Sequence, residues 1–377
     1  MSVMSACGRN ARLNRNVDNN SIKRMKFSGQ EGEAIRGALL AWFRRAARPL
    51  PWRKSGDPYA IWVSEVMLQQ TQVATVIPYY QRFLAAFPTL ADLARAPLER
   101  VLQLWSGLGY YRRARHLHQA AKELVDRFAG AFPQDYERIR SLPGIGDYTA
   151  RAILSIAFRQ PYTLLDGNVA RVLSRLAALQ GNLHQLGFRR AVQAQLQLLL
   201  APRSSSDFNQ SLMELGQTLC LPRTPQCTAC PVRSWCRGYK SGQPQLYPQP
   251  RPRRAAESHY LAAAILRRGV RVAMVRGLGD GLLDDMWNFP SAFGRSRAEA
   301  LASLRHRLAG FGSPSLTLRD SLAEFHHGVT YRSIRVHAYP AEISHPTRMR
   351  GLRWFPISSL EQAAISQLAR KIAQQVF

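Results

Sequence analysis

Two acidic side chains stand where a carboxyl group could do chemistry, in a chain with 24 Asp and Glu against 52 Lys and Arg. Glu65 lies inside the apolar run 61–68, where partial desolvation favours the protonated form that a general acid needs. Asp166 precedes a predicted helix, whose N-terminal amides favour an ionised carboxylate. Such a pair can cleave a glycosidic bond through an oxocarbenium-like state. A salt bridge for Glu65 and a simple N-cap for Asp166 are the open alternatives.

Four of the five cysteines lie in one short segment, at Cys220, Cys227, Cys230 and Cys236, and the fifth is Cys7. Four thiolates from such a loop can hold a tetrahedral zinc ion or a [4Fe–4S] cluster. Zinc ribbons usually pair two CxxC knuckles, and here only the middle two cysteines have that spacing. The wider outer spacings favour the iron–sulfur cluster, but the cysteines alone leave both metals open.

A tight turn at 142–147, with the sequence LPGIGD, joins predicted helices at 134–141 and 148–159. Gly144 and Gly146 allow the backbone to turn sharply, so that amides at the start of the second helix point outward. Such amides can bind a phosphate without any side chain. The pattern is typical of helix-hairpin-helix DNA-binding proteins, although Asp147 places a negative charge beside the expected phosphate.

The elements that must position these residues are predicted by periodicity. Apolar residues at three- and four-residue spacing over 35–213 predict an all-α domain, punctuated by Pro and Gly pairs. From residue 259 onward the texture is α+β. Strands are predicted within 259–277 and 328–343, and helices at 297–309 and 358–376.

Two further segments lack this periodicity. Residues 1–30 are polar and basic, which predicts a disordered tail, and 239–258 are rich in Pro, Gln and Arg, which predicts an extended linker. The predicted folded domains are therefore 31–238 and 259–377.

The net charge of +28 over 377 residues indicates a polyanionic partner, most commonly nucleic acid. Part of the arginine excess is also expected from genome composition. Basic residues at 112–115 and the linker's Arg251, Arg253 and Arg254 are the expected salt-sensitive phosphate contacts. With 46% hydrophobic residues, no apolar run near the roughly 18 residues of a membrane span and no signal-peptide core, we expect a folded intracellular protein. We further expect it to be bacterial and cytoplasmic, associated with the nucleoid, and monomeric.

Five motifs occur together in one order: WVSEVMLQQTQV (62–73), LWSGLGYYRRARHL (104–117), LPGIGDYTARAI (142–153), LDGNVARV (165–172) and the four-cysteine spacing. Over about 32–237 the chain resembles the adenine DNA glycosylases of the MutY type, within the helix-hairpin-helix superfamily that includes endonuclease III. The resemblance implies an all-α helix-hairpin-helix glycosylase domain with a [4Fe–4S] loop. It also implies a substrate, double-stranded DNA in which adenine is mispaired with 8-oxoguanine or guanine.

The resemblance also implies roles for particular residues. Glu65 matches the general acid that protonates the flipped adenine, and Asp166 matches the carboxylate that stabilises the sugar cation. Tyr148 and Asn168 match groups that position this pair. The positions that match the adenine pocket are Trp52, Arg53 and Gln210. Gln70 and Tyr110 match residues inserted into the base stack, and Thr71 and Leu108 match neighbours of the oxidised guanine. Core packing is the alternative for Leu108 and Tyr110.

The hairpin motif distinguishes the subfamilies. Lyases similar to endonuclease III carry a Schiff-base lysine at the position of Tyr148, and this chain has none in the hairpin or beside Asp166. The prediction is a monofunctional glycosylase that leaves an abasic site with an intact backbone. The rival functions are a lyase acting on oxidised pyrimidines and a non-catalytic iron–sulfur protein that binds DNA.

The C-terminal domain resembles the Nudix-like lesion-reading domain of the same family, through GLLDDMWNFP (281–290). A Nudix hydrolase needs several glutamates on one helix to bind magnesium. Because the candidate helix carries only Glu299, hydrolase activity is not expected. The predicted lesion contacts are His327, within Phe325-His326-His327, and Thr330.

Overall fold

The computed structural model describes residues 27–250, 255–278, 283, 286–311, 316–329, 331–343 and 351–377. The chain forms two compact units, each built from two separate stretches of sequence. Unit 1 consists of Met1–Pro49 and Arg151–Arg251, and unit 2 consists of Leu50–Ala150 and Pro252–Phe377. Among the described residues, no helix is long and apolar enough to cross a membrane.

Helices dominate residues 29–240. The helices of the described residues are α1 (Gly29–Ala46), α2 (Pro58–Leu68), α3 (Val73–Ala86), α4 (Leu90–Arg95), α5 (Leu98–Trp105), α6 (Arg112–Phe128), α7 (Tyr136–Arg140), α8 (Asp147–Ile156), α9 (Gly167–Leu176), α10 (Leu186–Leu199), α11 (Ser205–Thr218), α12 (Arg237–Lys240), α13 (Arg297–Ala309) and α14 (Gln367–Val376). Local sequence determines where several begin. Asp57, followed by Pro58, caps α2, and Ser28 with Glu31 forms a capping box on α1.

The core of unit 1 lies between α1, α9, α10 and α11. Ile35 and Leu39, one turn apart on α1, are fully buried against Leu173, Leu196 and Phe208. This one-sided burial is what the three- and four-residue apolar spacing requires.

The helical part of unit 2 packs around aromatic side chains. Phe83 of α3 contacts Trp105 at the end of α5, with ring centroids 5.9 Å apart and an edge-on geometry that aromatic pairs favour. Both side chains are fully buried. This contact anchors the turn that follows α5, where the motif at 104–117 begins.

The C-terminal part of unit 2 contains a mixed sheet. Its strands are β1 (Glu257–Arg268), β2 (Arg271–Arg276), β3 (Trp287–Asn288), β4 (Ser291–Gly294), β5 (Leu316–Leu318), β6 (Ala323–Val329), β7 (Arg332–Ile343) and β8 (Arg353–Pro356). The main strand order is β3-β2-β1-β7-β5, with β1 and β7 parallel. Leu261 and Ile265 face the core under α14, whereas Ala262 and Leu266 face the core under α13. The sheet is therefore covered by a helix on each face, as its alternating side chains require.

The sheet region and the helices of unit 2 are joined by polar contacts. The Ser106 hydroxyl donates to the Ile365 carbonyl at 2.8 Å. The Glu99 carboxylate accepts from the Trp287 indole and the Arg353 guanidinium, both at 3.1 Å. These contacts link α5 to the sheet region within one unit.

The predicted elements match the structure closely in places and differ in others. The helix predicted at 297–309 has those bounds. The helix predicted at 358–376 begins only at Gln367, because the Ser366 side chain caps its first turn and a separate 3₁₀ turn precedes it. The segment 239–258, predicted to be an extended linker, is bound to unit 1 in its middle part. The Tyr247 carbonyl accepts from Arg175, and the Gln249 amide donates to the Gly181 carbonyl. Thr330, Cys7 and the three linker arginines lie outside the described residues.

One ion pair in unit 1 is built around a buried carboxylate. Arg48 binds Glu214 through two parallel bonds, Nε to Oε1 at 2.6 Å and one terminal nitrogen to Oε2 at 2.8 Å. The Glu214 side chain is 0% exposed and that of Arg48 is 34% exposed. The pair joins the chain after α1 to α11.

Replacing Arg48 with Met is expected to lower the free energy of unfolding by about 3–5 kcal/mol, because the buried Glu214 charge loses its guanidinium. Urea denaturation measures this loss. The matched control is Arg95→Met, whose own side chain is 75% exposed and whose loss should stay below about 1 kcal/mol. Equal losses of unfolding free energy in the two variants would show that the buried pair contributes no more to stability than the pair between Arg95 and Asp92.

Candidate active site and nucleic-acid interface

Glu65 lies on α2 in unit 2, in a helix whose residues from Tyr59 to Met67 are all buried. Its own exposure is 8%. The Asp57 carboxylate accepts from the Tyr59 and Ala60 amides at 3.1 and 3.2 Å, which fixes the start of this helix. The structure thus places this acidic side chain within an apolar helix, as the sequence predicts.

Asp166 lies in unit 1, at the N-cap of α9. Its Oδ1 accepts from the Val169 amide at 2.7 Å, and its Oδ2 accepts from the Asn168 side-chain amide at 2.9 Å. The predicted N-cap is therefore present, and it leaves the carboxylate half-buried and held in one orientation. Capping and chemistry are compatible uses of the same group.

The side chain of Asn168 is itself oriented by a hydrogen bond from Arg171. One terminal nitrogen of Arg171 donates to the Asn168 side-chain oxygen and to the Gly216 carbonyl, both at 2.8 Å, and its Nε donates to the Cys220 carbonyl at 2.9 Å. A Cβ added at Gly216 would lie 2.8 Å from the Asn168 Cβ. A chain of hydrogen bonds thus runs from Asp166 to the cysteine loop, and Gly216 permits the close approach.

The four cysteines line one cavity of about 30 Å³ in unit 1. Burial raises the pKa of the Cys230 thiol to about 12. Beside them, the Arg175 guanidinium lies 3.4 Å from the Cys220 sulfur and donates to the carbonyls of Leu221 and Pro222 at 2.6 and 2.7 Å. Within the described ranges, no group of three or more His, Cys, Asp or Glu side chains is placed to hold a single metal ion. Four cysteines around one cavity, with a buried cation beside them, fit an anionic iron–sulfur cluster.

The glycine turn at 142–147 exposes its backbone as predicted. Gly144 and Gly146 are exposed and Ile145 is buried between them. Gly144 has a φ of +72°, and a Cβ there would lie 2.5 Å from the Cβ of His116. Asp147, which places its charge beside the expected phosphate, accepts a hydrogen bond from the Tyr136 hydroxyl. The turn is therefore anchored by one apolar side chain and free to present amides.

Two further turns of unit 2 project side chains outward. Gln70 and Tyr110 both have positive φ, +58° and +51°, and both are exposed, Tyr110 by 45%. Thr71 is half-buried, and Leu108 is 6% exposed. Leu108 therefore packs inside the domain, whereas the side chains of Gln70 and Tyr110 are exposed.

One arginine joins these two turns. One terminal nitrogen of Arg113 donates to the carbonyls of Val66, Met67 and Gln69 at 2.9, 2.9 and 2.5 Å, and the other donates to the Gly109 carbonyl at 3.1 Å. Sequence reasoning placed Arg113 among the phosphate contacts at 112–115, and for this residue that prediction is wrong, because its guanidinium is used inside the fold. Arg112 and Arg115 are exposed.

The remaining predicted positions are divided between the units. Trp52 is buried in unit 2, edge-on to Tyr80 with centroids 5.5 Å apart, and Arg53 is half-buried beside it in the chain. Tyr148 lies on α8, also in unit 2. Gln210 lies in unit 1 on α11, where its amide donates to Ser206 at 3.1 Å. In the sheet region, His327 is half-buried on β6 and burial lowers its pKa.

Arg113, Arg171, Arg175 and Gly216 were not singled out for these roles by the sequence. Three of them lie within or beside the quoted motifs, since Arg113 follows the Gly-Tyr-Tyr turn, Arg171 belongs to LDGNVARV and Arg175 is one turn further on α9. The motif positions are the only signal that could have indicated them.

Comparison with known proteins identifies the family of the chain. Residues 63–196 match the family described as HhH-GPD superfamily base excision DNA repair protein. In structure, the chain is similar to a thermostable thymine-DNA glycosylase, with a TM-score of 0.52 and 26% identity, over 56% of this chain and 98% of that one. The helical part of the chain, which contains the exposed glycine hairpin, is therefore of the helix-hairpin-helix DNA glycosylase class.

The curated relatives are more specific. The chain is 35% identical over 404 residues to the adenine DNA glycosylase of Homo sapiens, which covers 91% of this chain and 74% of that protein. It is 43% identical over 202 residues to the adenine DNA glycosylase of Buchnera aphidicola subsp. Baizongia pistaciae, over 53% of this chain and 57% of that protein. The chain belongs to the adenine DNA glycosylase family, and it is an enzyme of that class.

Replacing Arg113 with Met is expected to loosen the turns that carry Gln70 and Tyr110 together, because both lose the same hydrogen-bond donor. Hydrogen exchange at 69–71 and 107–110 should speed up in parallel, and the free energy of unfolding should fall by about 2–3 kcal/mol. Arg112→Met, on the exposed face of the same helix, is the control. Faster exchange in only one of the two turns would contradict the shared role.

Proposed function

We propose that this protein hydrolyses the N-glycosidic bond of adenine mispaired with 8-oxoguanine or guanine in double-stranded DNA, acting as a monomer. The observation that carries the proposal is the different setting of two carboxyl groups. Glu65 is buried in an apolar helix, and Asp166 accepts two hydrogen bonds at a helix N-terminus. The names of the relatives specify adenine.

In the proposed reaction, Glu65 donates a proton to the flipped adenine as the bond from sugar C1′ to the base nitrogen breaks. The electron pair of that bond leaves with the base. Asp166 stabilises the resulting sugar cation, with Asn168 holding its carboxylate in place. Water then adds its hydroxyl to C1′ and its second proton leaves to solvent. Tyr148, Trp52, Arg53 and Gln210 are proposed to surround the sugar and the base.

The proposed enzyme is monofunctional. A lyase needs an amine that forms a Schiff base with C1′, and the hairpin of this chain has Tyr148 where that lysine would stand. Lys54, Lys122 and Lys240 are exposed, and Lys371 donates to the His326 carbonyl at 2.8 Å. These positions support hydrolysis that leaves the DNA backbone intact.

A [4Fe–4S] cluster is proposed as the resident cofactor, held by Cys220, Cys227, Cys230 and Cys236. Its chemistry would be structural, since bound iron would cross-link the loop that these cysteines form. Arg175 is 2% exposed and joins that loop to the Tyr247 carbonyl at 3.0 Å. The Cys220 carbonyl in turn accepts from Arg171, which orients Asn168. Loop order would therefore support the orientation of Asp166.

The sheet region is proposed to be a Nudix-like domain that reads the lesion. A mixed sheet between two helices supports this assignment. Helix α13 contains a single glutamate, Glu299, and therefore no set of glutamates for magnesium. The Glu299 carboxylate also accepts a hydrogen bond from the Arg295 amide at 2.8 Å. His327 is the described candidate for contact with 8-oxoguanine, and Thr330 remains the sequence-based alternative.

Replacing Glu65 with Gln keeps the side-chain shape and removes the proton donor. Adenine release from an 8-oxoguanine:adenine duplex is expected to slow by about 10²–10⁴-fold in single-turnover assays, with duplex affinity retained. The control is Glu33→Gln, whose side chain is 75% exposed. Unchanged turnover in the Glu65 variant would remove this residue from the acid role.

A second measurement separates the proposal from its rivals. Purified protein should release free adenine from the mispaired duplex, and the strand should break only after alkali is added. Strand breaks without alkali, together with a borohydride-trapped protein–DNA adduct, would indicate a lyase. Duplex binding with no base release from either the mispair or a thymine-glycol duplex would indicate a non-catalytic DNA-binding protein.

A further inference from the structure

A polar cavity of about 520 Å³ lies in unit 2, between the helices and the sheet region. We call it the seam cavity and define it by Tyr79, Arg82, Arg100, Gln103, Ser106, Gly107, Glu361, Gln367 and Arg370. Three helices line it, and each presents two residues three positions apart: Tyr79 and Arg82 on α3, Arg100 and Gln103 on α5, and Gln367 and Arg370 on α14. Residues at this spacing share one helix face, so the lining is built by three regular elements.

The charge of the seam cavity is positive, since three arginines face one glutamate, Glu361. Within the described part of the chain, none of these arginines forms an ion pair. Arg370 donates to the Ser106 hydroxyl and to the Glu361 carbonyl, both at 2.9 Å. Arg100 donates to the Gln103 side chain at 2.8 Å, and Arg82 lies over the Tyr79 ring at 4.5 Å. A concave surface lined by cations without anionic partners attracts an anion.

Ser106 and Gly107 shape the floor of the seam cavity. The Ser106 carbonyl accepts from the Tyr79 hydroxyl at 3.1 Å, and its own hydroxyl donates to the Ile365 carbonyl. Gly107 has a φ of +104°, and a Cβ there would lie 2.1 Å from the Tyr79 oxygen. The turn is thus fixed against α3 and α14.

The same turn leads directly to Tyr110. Three residues span at most about 11 Å, so the backbone of the exposed Tyr110 lies within that distance of Gly107 in the cavity lining. Along one strand of a duplex, phosphates recur about every 3.4 Å of the helix axis. A strand that Tyr110 contacts would therefore carry several phosphates over the distance that separates Tyr110 from the cavity.

We propose that the seam cavity binds a backbone phosphodiester of the DNA strand that Tyr110 contacts. This site rests on the proposed function for the position of the DNA, and it adds a phosphate contact away from the hairpin. Because α14 supplies Arg370, the bound phosphate joins the sheet region to the helices of unit 2. DNA binding and the docking of the sheet region thereby stabilise each other.

The test compares two double variants of the full chain that lose the same charge. Arg82→Gln with Arg100→Gln removes two cavity cations, and Arg267→Gln with Arg305→Gln removes two exposed cations of the sheet region. Affinity for the 8-oxoguanine:adenine duplex is measured from 50 to 200 mM salt, as the slope of log affinity against log salt. The cavity variant should lose about 1 from that slope relative to the control variant. Equal slopes would overturn the proposal.

Neutral methylphosphonates, placed one at a time along the duplex, locate the contact. At one position the substitution should weaken binding of the unaltered protein by about tenfold and should weaken the cavity variant no further. If every position weakened both proteins equally, the arginines would act only as a general field, and the proposal would fail. Inorganic phosphate or an acidic peptide that protects the unaltered protein from thermal unfolding, with no such position on the DNA, would assign the site to a different anion.

These binding measurements do not depend on turnover. A protein that bound the duplex with the expected slopes but released no adenine would contradict the proposed function and leave the phosphate site intact. If the protein released adenine but the cavity variant and the control variant had equal salt slopes, the proposed function would stand and the phosphate site would be contradicted.

Discussion

The hydrogen bonds of the Arg113 guanidinium are the interaction on which the arrangement of α2 and the two exposed turns of unit 2 depends. The last carbonyls of a helix have no partners within that helix, and at the end of α2 three of them accept from this one cation. A positive charge at a helix C-terminus also interacts favourably with the helix dipole. Burial lowers the pKa of Arg113 to about 10, so it keeps its charge at neutral pH. Because α2 carries Glu65, the proposed acid and both exposed turns share one support.

Arginines act in the same way in unit 1. Arg171 and Arg175 donate mainly to backbone carbonyls of the cysteine loop and of the segments around it. Backbone carbonyls are the main hydrogen-bond acceptors of these two cations. Some of the arginines that give the +28 net charge therefore stabilise the fold through internal hydrogen bonds. The net charge thus overstates how many side chains are available to bind phosphates. The exposed Arg112 and the cations of the seam cavity are the better candidates.

Local signals in the sequence predicted much of the fold. Periodicity predicted the helix at 297–309, and Asp166 was recognised as an N-cap because the rule involves only adjacent residues. The support of the site depends on distant pairs and was not predictable in this way. Arg113 contacts residues 44 to 47 positions earlier, and Gly216 meets Asn168 from another helix. No periodicity or spacing encodes such partners, and the assignment of 50–150 to the same unit as the sheet region is equally non-local.

The contact between Ser106 and Ile365 joins residues 259 positions apart. At about 5–20 residues per second of synthesis, the helices around Ser106 leave the ribosome some 13–50 s before α14 exists. During that interval the surface that later receives the sheet region is bare on the nascent chain. At the contact this surface has the polar side chains Glu99, Gln103 and Ser106. Polar side chains stay hydrated when they are exposed, so the surface does not need to be covered during synthesis. The half-made protein can thus remain dispersed until its last helix is translated.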